Sequence, residues 1–254
     1  MSLKRFDLTG KVALITGGNK GLGKAMARGL AEAGADIFLA SRSEESLKST
    51  LDEILTATGR RGGYTVCDVS KRDQVTALAA TAEREMGKVD ILINNAGTNI
   101  PQAIDEITDE VWDNVLEVNL NSIMALTRAL VPGMKQRKWG RVIHISSIMG
   151  VISKERRNIY SATKAALIGM AKASAIDLGA YGITVNCIGP GPFLTDLPMS
   201  LLSDSEKAAF AGMTALNRWG QPDELVGPAL LLASDAGAYI TGTLLLVDGG
   251  YTAR

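Results

Sequence analysis

Seven short apolar runs recur along the whole chain, at residues 12–16, 36–40, 64–67, 89–93, 142–145, 183–188 and 244–247. Each has the length of a strand, and several are almost continuously hydrophobic, the pattern of strands buried on both faces. Strands of that kind need cover above and below. The stretches between them are helix-length and amphipathic, and several carry start signals. Ser70 precedes a helix expected over 71–86 with Asp73 three residues on, Ser203 and Glu206 have the form of a capping box, and Pro222 fits the first turn of a helix over 223–232. Strands alternating with helices predict an α/β fold: a Rossmann-like, doubly wound, seven-stranded parallel sheet with helices on both faces. No linker, repeat or low-complexity segment divides the 254 residues, a length one core can serve, so residues 1–254 are assigned to a single domain.

Charge excludes some roles. Lys plus Arg and Asp plus Glu are 27 each, a balance that argues against nucleic acid or a membrane surface as the main partner. Residues 1–7 contain no apolar signal core, and no apolar run approaches the length of a membrane span, so a cytoplasmic protein is expected. Cys67 and Cys187 both sit in apolar, strand-like runs and read as buried, reduced thiols. His144, the only histidine, lies within the fifth strand and reads as a packing residue; nothing in the sequence suggests a metal site.

The first strand runs directly into Thr16-Gly17-Gly18-Asn19-Lys20-Gly21-Leu22-Gly23, followed by a helix over 24–33. Glycines serve here because the backbone must turn tightly and approach a pyrophosphate, which then rests on the helix N-terminus. Further on, Tyr160 and Lys164 stand one helical turn apart at the start of an apolar-faced helix, so they share a face. A free tyrosine titrates near pH 10, and an ammonium close by would lower that value toward the range useful for acid–base work.

These motifs and their order resemble those of the short-chain dehydrogenases and reductases. The phosphate loop has that family's TGxxxGxG spacing. Asn94-Asn95-Ala96-Gly97 matches its NNAG, Tyr160 to Lys164 its YxxxK, and Pro190-Gly191-Pro192-Phe193-Leu194-Thr195 its PGxxxT; Asp248-Gly249-Gly250 matches its C-terminal turn. The resemblance implies a catalytic set of Asn119, Ser147, Tyr160 and Lys164. In it Tyr160 donates the proton in reduction and Ser147 bonds the substrate oxygen. Lys164 holds the nicotinamide ribose, and Asn119 keeps a water in the proton relay. Ser146 competes for the serine role, but spacing to Tyr160 favours Ser147, and alternation along a strand places the two on opposite faces. For the cofactor it implies Gly17, Asn19, Lys20, Gly21, Leu22 and Gly23 at the phosphates, and Asp68 and Val69 at the adenine. Asn95, Ala96, Gly97, Tyr160, Lys164, Pro190, Gly191 and Thr195 complete the cofactor set.

The second strand ends Ala40-Ser41-Arg42, without the acidic residue that would chelate a ribose diol. Lys20 and Arg42 occupy positions where NADP-preferring members of the family carry basic residues, and Ser41 adds a hydroxyl, so NADP is expected, with NADPH preferred over NADH. A homotetramer is expected by resemblance, through the strand at 243–247 and helices over 109–134 and 160–179.

For the substrate, the chain is similar to the gluconate 5-dehydrogenases and to the 3-oxoacyl-acyl-carrier-protein reductases of that family. The basic stretch Lys154-Glu155-Arg156-Arg157, where a guanidinium could fork onto a carboxylate, favours a small keto-sugar acid such as 5-ketogluconate. Against it, gluconate-type members often carry arginine just after NNAG, whereas this chain reads Thr98-Asn99-Ile100-Pro101. Lys138 fits one carrier-docking position of the alternative, but Asp177 and Tyr181 stand where a second basic residue would be expected. A catalytically idle NADPH-binding regulator is the alternative of another class, disfavoured by the complete catalytic set. A sugar-nucleotide epimerase would need a longer C-terminal region. Residues 192–219 are expected to form a mobile substrate lid.

Overall fold

Val12 and Leu14 point to one side of their strand and Ala13 and Ile15 to the other, and all four are essentially inaccessible to solvent. That is the signature of a strand covered twice, and the computed structural model, which describes residues 3–195 and 203–253, shows the cover. The sheet comprises β1 (Val12–Thr16), β2 (Asp36–Ser41), β3 (Gly62–Val66), β4 (Ile91–Asn94), β5 (Gly140–Ile145), β6 (Ile183–Pro190) and β7 (Leu244–Val247). All neighbours pair in parallel, in the order β3-β2-β1-β4-β5-β6-β7.

One face packs on α3 (Arg72–Met86), α5 (Ser122–Arg137) and α6 (Asn158–Leu178), through Leu78, Leu130 and Leu167 among others. The other packs on α1 (Gly21–Glu32), α2 (Glu44–Thr58) and α8 (Val226–Ala233), through Met26, Leu47 and Leu232. Each fully buried Leu or Ile contributes about 1.5–3 kcal/mol, so the two cores dominate stability. The remaining α-helices among the described residues, α4 (Asp109–Leu116) and α7 (Asp204–Met213), follow the carboxyl ends of β4 and β6 along the chain. Strand order reverses between β1 and β4, which opens a crevice at the carboxyl ends of the strands.

Several expected boundaries move. The third strand starts earlier and ends at Val66, so Cys67, Asp68 and Val69 fall just past it. Both cysteines are buried free thiols, pushed up to about 11 and about 12 by burial. Ser70 does not cap α3: Lys71 holds that position without a side-chain bond, and the Ser70 N–H donates to Asp68 Oδ1 at 3.0 Å instead. The capping box at Ser203 forms, with Ser203 Oγ accepting from the Glu206 N–H and the Ser203 N–H donating to Glu206 Oε2. Pro222 opens a 3₁₀ turn, Pro222–Leu225, and the α-helix begins only at Val226. The long helix expected over 109–134 is two helices joined by a π turn, Glu117–Asn121. Among the described residues no helix is long and apolar enough to cross a membrane.

Candidate active site

The phosphate loop is held by its neighbour strand. Thr16, the last residue of β1, accepts at Oγ1 from the N–H groups of Asn95 and Ala96, both at 3.1 Å. Asn95 Nδ2 returns bonds to Thr16 O at 2.9 Å and Gly17 O at 3.1 Å. Gly17 adopts φ +63°, a left-handed conformation that favours glycine. At Gly23 a Cβ would sit 2.2 Å from Gly17 O and 2.6 Å from Asn95 Nδ2, so any side chain would force the loop off the helix. The first turn of α1 has no side-chain cap among the described residues: Lys20 precedes it without a side-chain hydrogen bond. Its free N–H groups and positive dipole end face a groove of about 490 Å³ lined by Asn19, Lys20, Gly21, Ser46 and Thr195.

Two cofactor expectations change meaning here. The Asn95 amide is spent on the backbone of Thr16 and Gly17, so it shapes the loop. Asn19 Nδ2 donates to Ser46 Oγ at 2.9 Å and its carbonyl accepts from Thr50 Oγ1, tying the loop to α2. Ser41 Oγ accepts a long bond, 3.4 Å, from the Ser43 N–H. Lys20 and Arg42 are both exposed, and neither has an ion pair among the described residues. Arg42 reaches Asp68 only through its field, which helps hold that carboxyl below its ordinary range after the larger effect of the Ser70 N–H. Past β6, the Gly191 N–H donates to Val247 O at 3.0 Å, and Thr195 lies over Gly21. An uncapped helix end beyond a glycine turn, flanked by two unpaired cations, fits the phosphates of a nicotinamide dinucleotide.

The catalytic candidates converge at the tip of β5. Lys164 is buried, and its Nζ donates to Ile145 O, the last carbonyl of the strand, at 2.8 Å. Burial lowers its pKa to about 8. Nζ lies 5.5 Å from the centre of the Tyr160 ring. The expected depression of the Tyr160 pKa does not result from the chain alone. Burial pushes the phenol above its ordinary value, and a hydrogen bond with Ser147 and the charge of Arg157 offset only part of that. The same burial lowers the affinity of the lysine for its proton, so burial dominates both groups. Tyr160 is therefore protonated at neutral pH, as a proton donor must be.

Ser147 Oγ accepts from the Met149 N–H at 3.1 Å and lies close enough to Tyr160 to lower its pKa, whereas Ser146 Oγ turns to Lys164 O at 2.8 Å. The two serines face opposite ways, and Ser146 positions the helix that carries the lysine. Asn119 is buried within the π turn; its Oδ1 accepts from the Thr98 N–H and its Nδ2 donates to Thr98 O, both at 2.8 Å. Nδ2 also donates to Thr163 Oγ1 at 3.2 Å, and Thr163 Oγ1 donates to Tyr160 O at 2.8 Å. Thr163 thus links the asparagine to the tyrosine helix, a role sequence reasoning missed; the signal was a buried hydroxyl one residue before Lys164. His144 is fully buried with Nδ1 3.1 Å from Asn94 Nδ2, and burial, then the Lys164 charge, lowers its pKa to about 4. It is neutral and sealed from the crevice. Among the described residues no cluster could hold a metal ion.

The loop between Ser147 and Tyr160 divides its charges. Arg156, at φ +63°, forks onto Glu106 at 3.3 and 2.7 Å and is not free to bind a carboxylate. Lys154 Nζ stands 4.7 Å over the Phe210 ring, which ties the loop to α7. Of the lid expected over 192–219, Phe193 and Gly220 form a bridge and Trp219 Nε1 donates to Lys207 O; residues 196–202 lie outside the described ones.

Residues 17–252 match the family model described as enoyl-(acyl carrier protein) reductase. The chain is 41% identical over 253 residues to a 2-dehydro-3-deoxy-D-gluconate 5-dehydrogenase of Pseudoalteromonas atlantica, covering 99% of this chain and 100% of that one. It is 37% identical to a 3-oxoacyl-[acyl-carrier-protein] reductase of Chlamydia muridarum, over 96% and 98% of the two chains. Among solved structures, a gluconate 5-dehydrogenase from Burkholderia cenocepacia in complex with NADP and tartrate matches with a TM-score of 0.93 at 37% identity, over 100% of both chains.

Proposed function

Because the chain belongs to the short-chain dehydrogenase/reductase family, and so is an oxidoreductase that uses a nicotinamide cofactor, we propose that it reduces a keto-sugar acid with NADPH. The observation that carries the reaction class is the convergence of Tyr160, Ser147 and Lys164 at the tip of β5, with the phenol held protonated beside the serine hydroxyl. The bound cofactor supplies the hydride. Tyr160 Oη donates its proton to the carbonyl oxygen as negative charge develops there, and Ser147 Oγ adds a second donor. Lys164 is the nearby cation that stabilises the phenolate left behind, and its tie to Ile145 O keeps it from swinging away. Asn119 holds the strand-to-helix connection at Thr98 in register with Thr163 and Tyr160.

Lys20, Gly21, Leu22 and the first turn of α1 would hold the pyrophosphate, and Arg42 with Lys20 the 2′-phosphate of NADP, which supports a preference for it over NAD. Asp68 and Val69 would border the adenine, and Ala96, Gly97, Pro190, Gly191 and Thr195 the rest of the cofactor. Gly17, Gly23 and Asn95 shape the loop that presents it. The whole chain would act as one cytoplasmic domain. A homotetramer would use the apolar groove between α5 and α6, lined by Met124, Val131, Pro132 and Met170.

The keto-sugar acid rests on the 41% relative and on the gluconate dehydrogenase structure. The carrier-protein reductase at 37% identity supports the second reading, a β-ketoacyl thioester substrate. NADPH oxidation against 5-ketogluconate, acetoacetyl thioester and neutral ketoses decides between them. The keto-sugar acid is expected to give the highest kcat/KM. A faster thioester moves the protein to the second reading, and binding of NADPH without turnover of any carbonyl leaves an idle regulator.

A further inference from the structure

Two side-chain atoms on the segments bridged just before Tyr160, Gln102 Oε1 and Arg157 Nη1, are buried and have no hydrogen-bond partner among the described residues. Their backbones form a bridge in which the Gln102 N–H donates to Arg156 O at 3.1 Å, so the loop after β4 and the start of α6 bring an acceptor and a cationic donor together. Asn158 Nδ2 fixes the pair further by donating to Gln102 O at 3.3 Å. Yet the two terminal atoms do not bond each other. A buried polar group left unmade costs about 1–3 kcal/mol, more for a charge, so an orphaned donor and an orphaned acceptor carried on bridged segments mark a place that a ligand completes. The neighbouring Arg156 shows the contrast, because Glu106 occupies its fork. No hydrogen bond or ion pair reaches the Arg157 guanidinium among the described residues, while its charge acts on the Tyr160 phenol three residues along.

We propose that Arg157 and Gln102 together form the substrate-reading site, and that they select a hydroxy acid. The guanidinium takes the carboxylate, and Gln102 Oε1 accepts from a hydroxyl of the same molecule. A carboxylate alone would leave the glutamine oxygen unpaired, and a neutral polyol would leave the arginine hydrogen-bonded but without a counter-charge. The inference rests on the keto-sugar acid reading above, but it assigns the recognition to one arginine of the basic stretch and adds a residue outside that stretch.

Calorimetry with gluconate on the enzyme saturated with NADPH separates the two ideas, since both ligands are then reduced and no turnover intervenes. Gluconate should bind, and sorbitol, of equal chain length without the carboxylate, should bind far more weakly. Arg157→Gln should weaken gluconate roughly ten- to a hundredfold, the range of a charge-assisted hydrogen bond, with Arg157→Lys recovering part of the loss. Gln102→Leu should weaken it by roughly two- to tenfold, and Arg156→Ala should leave it unchanged. NADPH affinity and thermal unfolding of each variant report whether the fold survives. Equal binding of gluconate and sorbitol, or equal losses from Arg156→Ala and Arg157→Gln, overturns the site whichever carbonyl is reduced fastest. A thioester that outruns every keto-sugar acid, with gluconate binding still dependent on Arg157, overturns the substrate reading and leaves the site standing.

Discussion

The two ends of the sheet treat charge in opposite ways. At the amino end the fully buried charges meet their opposites. Asp36 is held by Arg60 and Arg61, Asp90 by Lys88 and Arg137, and Arg141 by Asp235 with Trp139 stacked against it. At the carboxyl end the cations Lys20, Arg42, Arg157 and Lys164 have no carboxylate partner among the described residues. The first arrangement closes the fold. The second leaves cations without a counter-ion around the crevice, and its unfavourable electrostatics are tolerated because the other end and the two cores carry the stability.

The sharpest break of this contrast is Tyr160→Phe. It removes one hydroxyl at the carboxyl end, so turnover should fall by at least about a hundredfold while NADPH still binds, measured by fluorescence titration. Residual activity above a few per cent would mean that another group protonates the product. Arg42→Ala comes next. The NADPH KM should rise roughly ten- to a hundredfold and the NADH KM should barely move. An equal loss with both cofactors would remove Arg42 from the 2′-phosphate.

The smallest effects test stability, and they should have opposite signs. Asp90→Ala strips the Val12 N–H and two cations of their partner, so it should cost about 1–3 kcal/mol. At this chain length each kcal/mol lowers Tm by about 2–4 °C, and kcat of the folded fraction should not change. Lys164→Met should do the reverse. Burial holds the Lys164 pKa at about 8 instead of 10.5, so between those values the unfolded chain binds more protons than the folded one. Wild-type stability therefore rises with pH across that window. The variant should gain roughly 1–3 kcal/mol below pH 8, lose its advantage as pH approaches 10.5, and be inactive throughout. A gain independent of pH would mean that packing, not charge, had changed.

The strand pattern, the glycine loop and the Tyr160–Lys164 pair were legible in the sequence because each depends on local spacing. The partners of those residues were not. Lys164 bonds the carbonyl of Ile145, Asn95 bonds the backbone of Thr16 and Gly17, and Asn119 bonds that of Thr98. A backbone atom has no letter of its own, so no motif announces it. The Tyr160 pKa failed for a related reason: proximity to a cation is readable from spacing, but the burial that outweighs it is a property of the assembled crevice. In the basic stretch, sequence could place Arg156 and Arg157 side by side. Only the fold shows that Glu106, fifty positions away, takes the first and leaves the second.

The π turn at Glu117–Asn121 ties the aim of Asn119 to chain length. Each residue advances an α-helix by about 100°, so the extra residue in that turn sets the direction in which Asn119 points. A chain one residue shorter here would run from Asp109 to Arg137 as a smoother and intrinsically better helix, with its asparagine rotated off Thr98 and Thr163. Insertions and deletions are ordinarily tolerated at surface loops and selected against in cores. Here a deletion that regularises the helix should lower turnover, because the extra residue aims Asn119 at Thr98 and Thr163.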